Sequence, residues 1–164
     1  MQRLMSGRHH RHRGVSMVEF ALVAPLALFL LYVVFEMGRA GYDYNFVASG
    51  AREGARAAVA AQESSKSAAD VQTDVVSAVK RGLGGGIAVD STVHAYTGVA
   101  CPNSTLGMAT IYMSPSGSTA PGGSANPYVT VEVCYTYQPW VDLVARVVGN
   151  HLTLDSKTVM KTEY

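Results

Sequence analysis

One carboxylate lies inside the longest apolar run of the chain. Glu19 follows Val15 by four residues, and the run continues almost without polar residues to Phe35. A helix of about 21 residues extends roughly 30 Å, which is the thickness of a bilayer core. A charge in such a segment is costly and indicates a functional role, whereas the simpler interpretation places Glu19 at the headgroup boundary of a single-pass anchor.

The residues before this run are basic, and no acidic residue precedes Glu19. Their charge predicts a cytoplasmic N-terminus and an external location for the rest of the chain. The leader contains Arg3, Arg8, His9, His10, Arg11, His12 and Arg13. Its histidines could bind a transition metal, but the interleaved arginines would repel a cation, which favours a solvated topology signal. Cleavage of an ordinary secretory signal near Ala40-Gly41 is the alternative, and Glu36, Arg39 and the long apolar run argue against it.

The chain has two cysteines, Cys101 and Cys134, without the Cys-x-x-Cys or paired-histidine spacing of zinc sites. In an oxidising compartment an isolated pair is most simply one disulfide. Closing a loop of about 33 residues would stabilise the fold by roughly 3–4 kcal/mol on the chain-entropy model. Two free thiols are the alternative, and they would require a reducing compartment.

The remaining titratable residues form no recognisable catalytic pattern. Serine, histidine and aspartate side chains occur on predicted strands, but none follows a nucleophile-elbow motif. These residues are Asp90, Ser91, His94, His151 and Asp155. We therefore expect neither an enzyme nor a cofactor or metal site. The net charge of +1 gives no indication of nucleic acid as a partner.

Small residues recur in steps of three and four after the apolar run, with the period of a helix seam. The seam contains Ala40, Tyr44, Val47, Ala51, Gly54, Ala58 and Ala61. The spacing of Gly50, Gly54 and Ala58 permits close approach of another helix. The seam packs either on a neighbouring subunit or on the protein's own domain. Arg39 with Asp43, and Glu53 with Arg56, are predicted surface pairs on this helix.

The rest of the chain changes from helical to strand periodicity. Ser67 to Asp70 resembles a capping box, and apolar residues at helical spacing follow up to Leu83, before three glycines that end the helix. Strands are predicted at 87–96, 108–113, 128–137 and about 151–162, with a long exposed loop at 114–127 and a short helix after Pro139. In the third strand, odd-numbered apolar residues alternate with a polar face that includes Cys134. The fold class is α+β, with a long helix and a small antiparallel sheet.

Several of these motifs together resemble a known family. The basic leader, Gly14, Glu19-Phe20, Ala24-Pro25-Leu26 and the block Ala51-Arg52-Glu53-Gly54-Ala55-Arg56 are similar to TadE-like pseudopilins of the tight-adherence (Flp) pilus system, with a type IV prepilin-like signal. The resemblance is strong over residues of about 13–60 and looser over about 128–164. It implies a pilin-like fold and cleavage by a prepilin peptidase between Gly14 and Val15. It also implies that the external helix packs through Ala51, Gly54, Ala55 and Ala58.

The resemblance also implies a role for Glu19. Its carboxylate would pair with the new α-amine of Val15 on a neighbouring subunit and fix the axial register of the helices. The expected layout is a cleaved leader at 1–14, a membrane and extended helix at 15–62, and an external domain at 63–164. The expected partners are the peptidase, other pilin subunits, the assembly platform and the membrane. A minor pilin subunit is the leading interpretation, and a signal-anchored surface binding protein or a secretion-system pseudopilin is the alternative.

Overall fold

The computed structural model describes residues 11–64, 66–102, 104–114, 128–140, 145–146, 149 and 151–161. The chain forms two compact units, Met1–Gly38 and Arg39–Tyr164. The helices are α1 (Arg11–Glu63) and α2 (Ala68–Gly82). The strands are β1 (Ala88–Ala95), β2 (Met108–Ser114), β3 (Tyr128–Tyr137) and β4 (Leu152–Lys161). The predicted α+β class is confirmed.

The first unit contributes the N-terminal part of α1. Its apolar side chains from Val15 onward are largely exposed, since no other described element belongs to this unit. Pro25 lies inside the helix. Near the end of the unit, the Tyr32 hydroxyl donates a hydrogen bond of 2.8 Å to Glu36 Oε1, one helical turn further along.

The second unit contains a four-stranded sheet in the order β1-β2-β3-β4. The β2–β3 and β3–β4 pairs are antiparallel, but β1 and β2 run parallel. The prediction of a purely antiparallel sheet was therefore wrong for one pair. The residues between these parallel strands, 96–107, form a connection long enough to return the chain to the same end of the sheet.

Helices α1 and α2 contribute to a hydrophobic core that also includes one face of the sheet. The core contains Val47, Ala51, Ala55 and Ala58 from α1, Val71, Val75 and Val79 from α2, and Ala109, Ile111, Met113, Val129, Val131 and Val133 from the sheet. The two helices approach closely at a pair of glycines: a β-carbon added to Gly82 would lie 2.6 Å from the Gly50 Cα. Small residues on both helices permit this crossing.

Helix α2 begins as its sequence predicts. Ser67 is the N-cap, and its Oγ accepts a hydrogen bond of 3.3 Å from the Asp70 backbone N–H. The Ser67 hydroxyl in turn donates to Asp70 Oδ2 at 2.6 Å. The predicted apolar stripe of α2 is buried at Val71, Val75 and Val79, and Leu83 at the C-cap is buried as well.

Both faces of β3 are buried, which the alternation in its sequence does not predict. The expected apolar face lies in the core, but Glu132, Cys134 and Thr136 on the opposite face are also buried. The connection 96–107 is attached to β3 at two points: the Gly107 N–H donates to the Thr136 carbonyl, and Cys101 is bonded to Cys134 on the outer face. Ser114 of the predicted loop at 114–127 belongs to β2, and the rest of that loop lies outside the described residues. Most of the predicted helix after Pro139 lies outside them as well.

Candidate functional site

The N-terminal part of α1 has the length and composition to cross a membrane. Between Val15 and Glu63 the helix contains an 18-residue window with a mean hydropathy of 2.4, and no part of that window is buried. Glu19 shares one side of this helix with Val15, Val18, Leu22 and Val23. This side is therefore an apolar stripe that carries a single carboxylate, and Phe20 beside it is exposed as well.

The predicted cleavage position lies at the beginning of α1. The described part of α1 begins at Arg11, so the Gly14–Val15 peptide bond lies in the N-terminal part of the described helix. None of the salt bridges between described residues includes Glu19.

The small-residue seam packs on the protein's own external unit. Ala51, Ala55 and Ala58 have no exposed surface. A β-carbon added to Gly54 would lie 2.7 Å from Val79 Cγ2 of α2 and 3.3 Å from Val131 Cγ1 of β3. Of the two packing partners left open by the sequence, these contacts identify α2 and the sheet. A neighbouring helix would have to use another surface of α1.

The two cysteines are joined on the outer face of the sheet. The sulfur atoms of Cys101 and Cys134 lie at the 2.07 Å distance of a disulfide, with their Cα atoms 5.7 Å apart. Glu132 offers an oxygen within 4.8 Å of both sulfurs. This group resembles a metal-ligand cluster by distance alone, but because the sulfurs are bonded to each other no thiolate is left to bind an ion.

Burial dominates the electrostatics of Glu132. Its side chain is only 3% exposed, and Oε2 has no hydrogen-bond partner among the described residues. Desolvation raises the pKa of this carboxyl group above its ordinary value, and the nearby Asp155 adds to the increase while Lys157 opposes it. Lys157 also donates a hydrogen bond of 2.8 Å to the Tyr96 hydroxyl, which joins β4 to the connection 96–107.

The candidate catalytic residues do not assemble into a nucleophilic site among the described residues. His94 Nε2 and Asp90 Oδ2 are 3.7 Å apart on the partly exposed strand β1. The backbone N–H of Thr92 donates to Asp90 and is the main cause of its lowered pKa. Among the described residues no hydrogen bond joins Ser91 to His94, so this pair does not form an activated hydroxyl.

Of the two surface pairs predicted on α1, the structure forms the one between Glu53 and Arg56. Arg56 Nη1 contacts Glu53 Oε1 at 3.0 Å, as predicted. Arg39 is not paired with Asp43 in this way: its Nη2 donates to the Gln138 carbonyl at 3.1 Å, and its guanidinium lies over the rings of Tyr137 and Trp140. Burial nevertheless raises the pKa of Asp43, and the charge of Arg39 partly offsets that increase.

Residues 14–56 match the family model described as TadE-like protein. Over this segment the chain is similar to the TadE-like family. The match begins at Gly14 and includes Glu19 and the small-residue seam up to Arg56. TadE-like proteins are associated with the Tad pilus system. No curated protein and no solved structure matches the chain.

The sequence did not predict the stack formed by Arg39 of the TadE-like segment with Tyr137 and Trp140. Arg39 and Gln138, the two residues joined by a hydrogen bond beside this stack, are 99 positions apart in the chain. One signal was present in the sequence: Trp140 is the single tryptophan of the chain, and it follows directly after the clearest strand. Only the tertiary fold shows which cation its ring contacts.

Proposed function

We propose that this chain is a minor pilin or pseudopilin subunit of a Tad/Flp-type pilus, clipped by a prepilin peptidase and assembled through its N-terminal helix. The observation that carries the proposal is the TadE-like match, which starts at Gly14 and extends through Glu19 into the external helix. The basic leader supports a single-pass arrangement with a cytoplasmic N-terminus and an external sheet.

Cleavage between Gly14 and Val15 is the first step of this proposal. It removes the basic leader and leaves an α-amine on Val15, next to the apolar stripe of α1. Intact mass of the protein purified from membranes tests this step, with and without a co-expressed prepilin peptidase. We expect a peptidase-dependent start at Val15. Gly14→Ala should block the cleavage, whereas Gly41→Ala, at a helical glycine with nothing within 4 Å of its added β-carbon, should be clipped normally.

Two other results of this measurement would overturn the proposal. A chain that keeps Met1 under both conditions is a signal-anchored surface protein. A start near Gly41 identifies an exported domain that has lost the apolar helix altogether.

Assembly through Glu19 is the second step. Since the carboxylate lies on a stripe otherwise made of valine and leucine side chains, a second apolar helix that covered this stripe would bury the charge. Burial of an unpaired carboxylate is unfavourable, and the Val15 amine of a neighbouring subunit would supply the counter-charge. The pair then selects one axial register among the many that an apolar stripe would permit.

Filament incorporation tests this second step separately from processing. Glu19→Ala should be clipped normally but should be largely absent from pili sheared off the cells. The matched control is Glu63→Gln, which changes an exposed carboxylate at the far end of the same helix and should leave incorporation unchanged. Normal incorporation of Glu19→Ala would show that the carboxylate does not set the register.

A further inference from the structure

Trp140 is exposed although it is the largest aromatic side chain of the protein. It retains 77% of its accessible surface, and it is the single tryptophan of the chain. Its ring is not loosely placed, because the Arg39 guanidinium carbon lies 4.4 Å from the ring centroid. The same guanidinium lies 4.7 Å from the centroid of Tyr137. We refer to Arg39, Tyr137 and Trp140 as the Arg39–Trp140 cluster.

The cluster fixes an indole in an exposed position on the surface of the external unit. Arg39 Nη2 is held by the Gln138 carbonyl, and Nη1 is buried without a hydrogen-bond acceptor among the described residues. The two ring faces are therefore the main partners of the remaining guanidinium surface. Cation–π contact of this kind strengthens as water is removed, so the cluster would gain from a partly dehydrated environment.

The chain itself places this cluster close to the end of the apolar run. Arg39 follows Phe35 by four residues, so their Cα atoms are at most about 14 Å apart in any conformation. The interfacial region of a bilayer begins where the hydrocarbon core ends, and together the two interfaces add roughly 10–15 Å to its thickness. Two further exposed aromatic residues follow Arg39 within five positions: Tyr42 is 62% exposed and Tyr44 is 48% exposed.

We infer that the Arg39–Trp140 cluster docks the external unit on the headgroup region of the membrane that α1 crosses. Tryptophan and tyrosine are enriched at this depth because one part of the ring is apolar and another part can hydrogen-bond. The guanidinium is held by the Gln138 carbonyl and by the two rings, so the exposed indole is the group that would meet the interface. The occupant of this surface is therefore a lipid interface, and the inference rests on the membrane insertion of α1 stated in the proposed function.

Intrinsic fluorescence tests this inference on the full chain without any label on the protein. The chain is reconstituted into phosphatidylcholine–phosphatidylglycerol vesicles that carry a nitroxide quencher either near the headgroup or near the middle of the acyl chains. Because an interfacial indole lies roughly 15 Å from the bilayer centre, we expect about twofold stronger quenching of Trp140 by the headgroup nitroxide. Its emission should also be blue-shifted relative to an indole in water.

Two variants in a Trp140→Phe background make the outcome specific. Leu26→Trp places the indole within the apolar run and should be quenched most by the mid-chain nitroxide. Val159→Trp places it at an exposed position of β4 that pairs with Thr130, seven residues along β3 from Tyr137 and thus about 23 Å away, and it should be quenched by neither lipid.

Each alternative outcome overturns the inference in a recognisable way. If Leu26→Trp is quenched while Trp140 is not, α1 is inserted but the cluster does not touch lipid. If Trp140 is shielded from aqueous acrylamide, escapes both lipid quenchers and shifts with protein concentration, its partner is a second protein copy. If Leu26→Trp is unquenched as well, α1 is not inserted, and the proposed function fails together with the inference.

Discussion

Replacement of Gly82 by alanine should destabilise the external unit through the crossing of α1 and α2. The added β-carbon would lie 2.6 Å from Gly50 Cα, 2.8 Å from Gly50 N and 3.0 Å from the Ser49 carbonyl carbon. All three are backbone atoms, so no side-chain rotation relieves the contact. To reach an ordinary separation of 3.4 Å, the helices must move apart by about 0.8 Å.

The magnitude follows from two opposing contributions. Overpacking of a close-packed interior costs typically about 1–3 kcal/mol. Alanine is a better helix former than glycine by up to about 1 kcal/mol, but less of this gain is realised at Gly82 because it is the last residue of α2. We therefore expect a net loss of about 1–2 kcal/mol, which corresponds to a decrease in Tm of about 4–8 °C for a domain of this size.

Thermal unfolding followed by circular dichroism at the helical band measures this loss on the full chain in detergent. The matched control is Gly41→Ala on the exposed part of α1, where nothing lies within 4 Å of the added β-carbon. This variant should unfold at the same temperature or slightly higher, since only the propensity gain applies. If Gly82→Ala were as stable as Gly41→Ala, the glycine crossing would not be the contact that limits helix approach.

Three further changes test the external unit. Glu132→Gln should raise Tm at pH 7 and lose this advantage at acid pH. Burial raises the folded pKa of Glu132, so the protonated form favours the fold at acid pH and this contribution disappears as the pH rises through the folded pKa. Equal Tm differences at pH 7 and at acid pH would contradict the burial argument. Reduction of the Cys101–Cys134 bond should lower the free energy of unfolding by about 3–4 kcal/mol, as measured by urea unfolding with and without reductant. Labelling of both cysteines in the untreated protein would show that the bond is absent. Ser67→Ala should lower the free energy of unfolding by about 1 kcal/mol, because it removes the N-cap acceptor of α2. In the same assay Ser67→Asp should keep most of the stability.

Local patterns in the sequence predicted the elements of the fold. The periodicity from Val71 to Leu83 places α2 because each apolar position faces the core, and the alternation from Val129 to Tyr137 places β3 for the same reason. Local patterns did not predict the relative direction of neighbouring strands. A parallel neighbour leaves no mark on the alternation of β1, so the β1–β2 pairing depends on the path of residues 96–107 across the sheet.

In the candidate site, too, local sequence patterns predict some features and miss those that depend on the tertiary fold. Gly14, Glu19 and the small-residue seam could be selected from type and spacing, because a carboxylate in an apolar run and glycines at helical intervals are local signals. The burial of Glu132 could not, because the connection that covers it is a loop without periodicity. The Arg39–Trp140 cluster could not be predicted either, since it joins residues that are about 100 positions apart in the chain.

Under the proposed function, the disulfide in the connection 96–107 would affect when the sheet domain finishes folding. Parallel strands are usually joined by a helix that packs on the sheet, but here the described part of the connection is irregular and is attached at Cys101 to Cys134. Under the proposed function the sheet domain lies outside the cytoplasm, so the bond would form only after the chain has left the reducing compartment. Attachment of the connection to β3 would then be a late step in folding, and the bond would oppose unfolding of the exported domain.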